Sequence, residues 1–169
     1  MIVCSARNNA DFFENHPVLK PIRGQVSWVH NENQPLPMHQ AQSYGGYCMQ
    51  LDAQHLVLGA SFYPNRDDSD VLLEDHVHNY DLIHSVFPEY AENLADVSTW
   101  QGRASVRAQS QDYFPVLGTL NSEDEIFSFA GLGSKGFLFA PLCSEILTAQ
   151  ILGEACPVPS DLVKKLSAT

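Results

Sequence analysis

Residues 125–153 read EIFSFAGLGSKGFLFAPLCSEILTAQILG: a strand-like run, a glycine-rich turn at residues 131–136 and an apolar segment. The apolar segment predicts a helix from about Ala140, with Pro141 in its first turn, to Gly153. A strand, a turn and a helix in this order aim unpaired backbone N–H groups at one point, and the helix dipole adds positive potential there. The stretch therefore predicts an anion-binding turn.

The glycines of this turn also match a nucleotide-binding pattern. Gly131, Gly133 and Gly136 satisfy G-x-G-x-x-G, which is a weak signal when it stands alone. A complete dinucleotide-binding unit needs a second parallel strand after the helix, ending in an acidic residue, whereas residues 155–159 and a short polar tail follow here. The turn is not expected to form a self-contained nucleotide site, and a turn needed only for close packing remains the alternative.

Composition and charge limit the classes of function. The chain has 169 residues, 44% of them hydrophobic, and a formal net charge of −11, which opposes non-specific binding to nucleic acid or to an anionic membrane. No apolar run is long enough for a membrane span, and no signal peptide is recognisable, so a cytoplasmic protein is expected. The four cysteines show no metal-binding spacing and are expected to be buried, reduced thiols: Cys4, Cys48, Cys143 and Cys156.

The middle of the chain predicts a sheet with one helix across it. Strand patterns occur in residues 23–30, 47–51, 55–62 and 97–108. Residues 70–86 predict an amphipathic helix whose apolar side chains stand three and four apart: Leu73, Val77, Tyr80, Ile83 and Val86 or Phe87. The predicted fold class is α+β, with a mostly antiparallel sheet, a flanking helix, and a C-terminal strand, turn and helix that attach to something else.

Charged side chains within these elements raise two questions. Three helix histidines, His76, His78 and His84, do not have the spacing of a helical ligand pair and are expected to be solvated, so no metal site is predicted. Arg103 and Arg107 lie four apart on one face of a predicted strand, where a guanidinium can bind a carboxylate through two parallel hydrogen bonds. A surface arginine paired with an acidic side chain is the alternative.

Two further segments carry a resemblance to a known family. Residues 107–118, RAQSQDYFPVLG, and residues 130–141, AGLGSKGFLFAP, resemble the C-terminal signature of the D-amino-acid oxidase group of FAD-dependent amine oxidases, which includes glycine oxidase and sarcosine oxidase. PIRGQV at residues 21–26 is similar to the strand that enters the substrate domain of that group, and LGAS at residues 58–61 to its Gly-Ala-Thr strand. Residues 118–150 look most like the oxidase half of bifunctional enzymes that modify the wobble uridine of tRNA.

The resemblance implies an activity and a site. It implies non-covalent FAD and an oxidase that removes the carboxymethyl group from 5-carboxymethylaminomethyl uridine at the wobble position. Arg107 takes the position of the arginine that binds the substrate carboxylate, and Tyr47 that of a tyrosine that shares this task, with packing in a sheet as the alternative for Tyr47. The implied cofactor-binding residues are Gly133, Ser134, Lys135, Gly136, Phe137 and Leu138. Ser134 stands where glycine oxidase has an arginine, which is consistent with a bulkier substrate.

The resemblance also implies a division into domains. Residues 1–22 correspond to a remnant strand and connector of the FAD-binding domain, residues 23–108 to the substrate domain, and residues 109–169 to the C-terminal segment of the FAD-binding domain. The family binds the adenosine and pyrophosphate of FAD in an N-terminal βαβ unit that this sequence lacks. The chain alone is therefore expected to bind FAD weakly or not at all and to be inactive.

The expected partners follow from the same resemblance. They are tRNA, as the substrate of the complete enzyme, together with the missing FAD-binding and methyltransferase parts. Strong direct binding of nucleic acid by this chain is not expected because of its charge. Two alternatives remain at this point: an oxidase of a free amino acid or secondary amine, and a non-catalytic module that binds a ligand or partner without flavin.

Overall fold

The computed structural model describes residues 1–11, 17–31, 38–121 and 126–167. The β-strands are, in chain order, β1 (Ile2–Val3), β2 (Lys20–His30), β3 (Gln42–Ser43), β4 (Tyr47–Gln50), β5 (His55–Gly59), β6 (Tyr63–Pro64), β7 (Gln101–Gln109), β8 (Val116–Asn121) and β9 (Ile126–Ala130). The α-helices are α1 (Leu73–Val86), α2 (Pro88–Ala91), α3 (Gly136–Leu152) and α4 (Ser160–Leu166). Short 3₁₀ helices span Ala6–Asp11, Val97–Thr99 and Gly133–Lys135.

The chain divides into two compact units. One unit contains Met1–Ile22 and Arg107–Thr169, and the other contains Arg23–Val106. The larger sheet has the order β3-β4-β5-β2-β6, and β7 also pairs with β2; the smaller sheet has the order β1-β9-β8. The β2–β5, β3–β4, β4–β5 and β8–β9 pairs are antiparallel and the β1–β9 pair is parallel, so the predicted α+β class with a mostly antiparallel sheet is confirmed.

In the unit formed by residues 23–106, one face of the sheet packs against α1 and α2. Strand alternation places Val29, Leu56 and Leu58 on this face, and all three are buried together with Ile83 of α1. The opposite face carries the partly exposed side chains of Tyr47, Met49 and Trp28. We call this opposite face the open face.

The first half of α1 packs through polar side chains, which the sequence pattern did not predict. Leu73, Val77 and Val86 are exposed, whereas Asp75, His76 and Asn79 are buried with Ile83. The expectation of an apolar face through Leu73 and Val77, and of a solvated His76, was wrong. The reason is tertiary: β2 presents polar side chains to this part of the helix.

A buried ion pair lies at the centre of this polar contact. The Arg23 guanidinium contacts Asp75 Oδ2 at 2.6 Å through Nη1 and Asp68 Oδ1 at 2.6 Å through Nε, and both Arg23 and Asp75 are fully buried. Ser27 Oγ lies 2.7 Å from His76 Nδ1, and Asn79 Nδ2 donates to Ser27 Oγ at 2.9 Å. Burial lowers the pKa of His76, which favours a neutral imidazole in this network.

In the other unit, α3 and α4 pack against the small sheet. Leu117 of β8, Cys143 and Ile146 of α3, and Leu166 of α4 form one buried cluster. The α3 helix begins at Gly136, four residues before the predicted start, so Pro141 lies inside the helix rather than in its first turn. No helix in the described ranges has both the length and the apolar character that crossing a membrane requires.

The four cysteines are free, as expected, but only two of them are buried. Cys48 and Cys143 are buried, whereas Cys4 and Cys156 are exposed, which corrects the expectation for the latter pair. Burial raises the pKa of Cys48 to about 11, so this thiol stays protonated at neutral pH.

Candidate functional site

The C-terminal end of β7 positions Arg107. This side chain is partly buried, and its Nη1 atom is buried without a hydrogen-bond partner among the residues that the structure describes. A buried donor of a charged group normally has a partner, because leaving it unpaired costs about 1 to 3 kcal/mol or more. Arg107 thus offers an unused donor to an anionic ligand, whereas Arg103, four residues earlier on the same strand, is exposed.

The same end of β7 contacts the glycine turn. Gln109 forms an antiparallel bridge with Leu132, immediately before the 3₁₀ helix Gly133–Lys135. The Gln109 side chain fills the place that a Cβ atom on Gly133 would occupy. Arg107 and Gln109 are two residues apart on one strand, so their side chains leave the same face of β7, and Gln109 leads directly to the turn.

The turn ends in the free N-terminus of α3. The N-cap residue is Lys135, and no described side chain caps the helix, so the first backbone N–H groups of α3 have no helical acceptor. The 17-residue helix adds its dipole at this end. The predicted glycine turn followed by a helix N-terminus without a side-chain cap is present at residues 133–138, and its binding of an anion stays a prediction.

The surface around this helix end is apolar and open. Phe137 is fully exposed, and 72% of the Leu138 side-chain surface is exposed. A small cavity of about 120 Å³ lies beside the turn, lined by Gln109, Tyr113, Leu132, Ser134, Lys135 and Phe139. Exposed apolar side chains next to free N–H donors suit a flat, partly apolar ligand that carries carbonyl or anionic groups.

Tyr113 belongs to this cavity, although its sequence context gave no sign of it. Its backbone is left-handed, with a φ of 67°, and its side chain is 68% exposed. The turn is held by hydrogen bonds from Ser110 Oγ to the Phe114 carbonyl and from the Phe114 amide to Asp112 Oδ1. A non-glycine residue in this conformation costs about 1 to 3 kcal/mol and often marks a functional turn.

Gly133→Ala is expected to lower the free energy of unfolding by about 1 to 3 kcal/mol. The backbone of Gly133 is left-handed, with a φ of 55°, and the added methyl group would collide with the Gln109 side chain. Gly136→Ala is the matched control, because its Cβ would lie 3.7 Å from the Leu132 Cβ and alanine favours a helix. Urea unfolding of the two variants measures the difference; equal stabilities would show that the turn does not require glycine at 133.

Tyr47 lies in the other unit, on the open face. It pairs with Gly59 of β5 and Ser43 of β3, and 39% of its side chain is exposed. The ring occupies the space in which a Cβ atom on Gly59 would stand, so the missing side chain at Gly59 lets the tyrosine lie over β5. The hydroxyl of Tyr47 is therefore carried by a fixed strand position on a face that no described helix covers.

The residues of the turn fit FAD. Free N–H groups at the start of α3 suit the electron-rich carbonyl end of a flavin ring, and the exposed Phe137 and Leu138 suit its apolar surface. The local cavity of about 120 Å³ is smaller than the roughly 300 to 1,000 Å³ of typical ligand pockets. The described turn can therefore contact one part of such a cofactor but does not enclose it.

Comparison with known proteins identifies the family of the chain. The model of the FAD dependent oxidoreductase family matches residues 2–150. The tRNA 5-methylaminomethyl-2-thiouridine biosynthesis bifunctional protein MnmC of Acinetobacter baylyi is 64% identical over 166 residues, which are 98% of this chain and 27% of that protein. The chain thus spans about a quarter of the length of that relative.

Solved structures show the same fold. Glycine oxidase from Geobacillus kaustophilus superimposes with a TM-score of 0.65 at 22% identity, over 88% of this chain and 38% of that chain. Iminodiacetate oxidase from Chelativorans sp. BNC1 gives a TM-score of 0.71 at 20% identity, over 99% of this chain and 45% of that chain. Because the family model matches nearly the whole sequence, this chain belongs to the FAD-dependent oxidoreductase family.

Proposed function

We propose that this chain is part of an FAD-dependent oxidase that removes the carboxymethyl group from 5-carboxymethylaminomethyl uridine at the wobble position of tRNA. The observation that carries the binding of a carboxylated substrate is Nη1 of Arg107 at the end of β7, which is buried and has no hydrogen-bond partner among the described residues. The substrate class is supported by the 64% identity to a relative named for 5-methylaminomethyl-2-thiouridine biosynthesis in tRNA. Such a substrate implies a cytoplasmic enzyme.

In this proposal Arg107 binds the carboxylate of the substrate. A planar guanidinium can donate two parallel hydrogen bonds to a carboxylate, which fixes the orientation of the carbon next to it. The family resemblance also assigns Tyr47 a share in binding the carboxylate. Orienting the reacting carbon in this way contributes to the rate because the bound geometry is close to the reactive one.

Residues 133–138 would hold the cofactor. The backbone N–H groups of Gly136, Phe137 and Leu138 would stabilise negative charge, and Gly133, Ser134 and Lys135 would let the turn approach the flavin ring closely. The chemistry that bound FAD supplies is acceptance of a hydride from the carbon between the secondary amine and the carboxylate, after which water hydrolyses the imine.

The domain division is part of the proposal. Residues 23–108 would be the substrate domain, whereas residues 1–22 and 109–169 would belong to the FAD-binding domain. The adenosine and pyrophosphate of FAD would be bound by a further βαβ unit, and a separate methyltransferase part would act on the aminomethyl product. The chain alone would then bind FAD weakly.

A chimera tests this function. This chain would replace the corresponding 166 residues of the Acinetobacter baylyi relative, and the product would be saturated with FAD. We expect it to convert 5-carboxymethylaminomethyl uridine in tRNA to the aminomethyl form, measured by mass spectrometry of the nucleosides. The isolated chain with added FAD serves as the control and should give no conversion.

The substrate class has its own controls. Glycine and sarcosine would be offered to the same chimera, with peroxide and reduced flavin as readouts. Faster turnover of these free amines than of the modified tRNA would indicate that the enzyme is an oxidase of free amino acids instead. A chimera that binds FAD but oxidises neither substrate would favour a non-catalytic module.

A further inference from the structure

A second cavity lies wholly within residues 23–106 and is much larger than the one beside the turn. Its volume is about 760 Å³, within the range of roughly 300 to 1,000 Å³ that small-molecule sites occupy. Trp28, His30 and His55 line it from the open face, and Glu92, Asn93 and Gln101 are among the other lining residues. None of these residues has a role in the site described above.

Trp28 gives this cavity an aromatic wall. It is 43% exposed on the open face, whereas the second tryptophan, Trp100, is buried and donates its indole N–H to the Ala95 carbonyl. Val29 and Leu94 add apolar lining. An exposed indole beside apolar side chains suits stacking with a flat ring.

Two histidines form a hydrogen-bonded chain at the same cavity. His55 Nδ1 lies 2.8 Å from Asp52 Oδ1, and His55 Nε2 lies 2.9 Å from His30 Nδ1. Because the carboxylate of Asp52 can only accept, His55 Nδ1 donates; when both rings are neutral, His55 Nε2 accepts from His30 Nδ1. His30 Nε2 is then an acceptor.

The polar lining favours a ligand with hydrogen-bond donors and disfavours an anion. His30 brings an acceptor nitrogen and Gln101 an amide group that donates or accepts. The Glu92 carboxylate lies 3.7 Å from His84 Nε2 of α1, and Asn93 Nδ2 donates to the Glu89 carbonyl at 2.6 Å. The described lining residues include no lysine or arginine that could bind a phosphate, so the base of a nucleotide fits this cavity better than its phosphate does.

The cavity is close to Tyr47 along the sheet. One row of paired residues across β2, β5 and β4 contains Trp28, Val57 and Met49. The next row on the same face contains Gly59 and Tyr47. Strand spacing and residue rise place Trp28 about 12 Å from Tyr47. A ligand that extends from Tyr47 over the open face therefore passes Met49 and Val57 and then reaches Trp28.

We propose that this cavity binds a nucleobase with an exocyclic amino group, in single-stranded RNA next to the uridine that carries the carboxymethyl group. The inference rests on the proposed function for the identity of the strand. The base stacks on Trp28 and donates to His30, while its phosphates stay outside. Protein readers of single-stranded RNA commonly combine such stacking with hydrogen bonds to base edges.

Uncharged nucleosides test the cavity without interference from the acidic chain. The full 169-residue chain would be titrated with adenosine, guanosine, cytidine and uridine, and the fluorescence of Trp28 would be followed. We expect saturable quenching with dissociation constants of about 0.1 to 1 mM for the amino-bearing bases, and weaker binding of uridine. Because no phosphate is bound, the affinity should hardly change with salt.

Three variants locate the binding. Trp28→Ala should lower the affinity about 5- to 150-fold, measured by equilibrium dialysis, whereas Trp28→Phe should retain most of it. His30→Phe should reduce the preference for amino-bearing bases over uridine, because it removes the acceptor nitrogen. Leu73→Ala, at an exposed position of α1 on the other side of the sheet, is the matched control and should bind as the unchanged chain does.

The outcomes separate this inference from the proposed function. Absence of saturable binding up to 10-fold above the expected range, or equal binding by Trp28→Ala and the unchanged chain, would overturn the nucleobase cavity. Either result would leave oxidation of tRNA by the chimera intact. Conversely, nucleoside binding at Trp28 in a chimera that oxidises no tRNA would support the cavity and reject the proposed function.

Discussion

Arg107→Ala in the FAD-loaded chimera is expected to lower kcat/KM for the carboxylated uridine about 10- to 150-fold, because a charge-assisted pair of hydrogen bonds contributes about 1.5 to 3 kcal/mol. Most of the loss should appear as a higher KM, since the contact is made in the bound substrate as well as in the transition state. FAD should remain bound, because Arg107 is not among the residues proposed to hold it. Steady-state kinetics and the flavin absorption spectrum measure both quantities.

Arg103→Ala is the matched control for this variant. Arg103 is on the same strand, but it is exposed. Its removal should change kcat/KM for the modified nucleoside less than about twofold, as expected for a solvated surface charge. Equal losses of kcat/KM in the two variants would indicate a general electrostatic effect of removing a positive charge. Unchanged kinetics of Arg107→Ala would show that Arg107 does not bind the substrate.

Asp75→Ala is expected to lower the free energy of unfolding of the chain by about 1 to 3 kcal/mol, because it leaves the buried Nη1 of Arg23 without its carboxylate while Asp68 still pairs with Nε. Urea unfolding followed by circular dichroism measures the change. Replacing both residues of the buried pair, as Arg23→Met with Asp75→Leu, should recover part of the loss. The recovery would show that the unpaired buried donor causes it.

Glu74→Ala is the control on the neighbouring helix residue. Glu74 is 67% exposed, and its oxygen lies 3.7 Å from Arg66 Nη1, so its loss should cost less than about 1 kcal/mol. A similar effect of the two substitutions would contradict a central role for the buried pair.

The sequence predicted elements that depend on local patterns. Residues 126–130 form a strand and the helix ends at Gly153, whose φ of 67° is the left-handed conformation that glycine adopts at helix ends. The start of α3 was misplaced because Pro141 favours the first turn of a helix but is tolerated further inside when the structure compensates for its missing N–H.

Other features depend on contacts between distant parts of the chain. The apolar spacing of Leu73 and Val77 indicated their burial, but β2 offers Arg23 to that part of α1, and Asp75 is buried instead. A periodicity in one segment carries no information on the polarity of the surface it meets.

The candidate site also depends on contacts that a local sequence pattern does not predict. Arg103 and Arg107 are equivalent in a strand pattern, yet Nη1 of Arg107 is buried with no partner in the described part of the chain, while Arg103 is exposed. The positions of Tyr113 beside the turn and of Trp28 in the larger cavity also depend on tertiary structure. The resemblance singled out Arg107, whereas the other two residues became apparent only from the fold.

The most direct test of the carboxylate-binding role of Arg107 is a crystal structure of the FAD-loaded chimera with (methylthio)acetate, the anion CH3–S–CH2–COO⁻. This carboxylate has no amine to oxidise. We expect the two carboxylate oxygens to lie about 2.7 to 2.9 Å from the guanidinium nitrogens of Arg107, with Nη1 among them. A carboxylate bound elsewhere, with Nη1 of Arg107 paired to a protein side chain, would contradict the proposal.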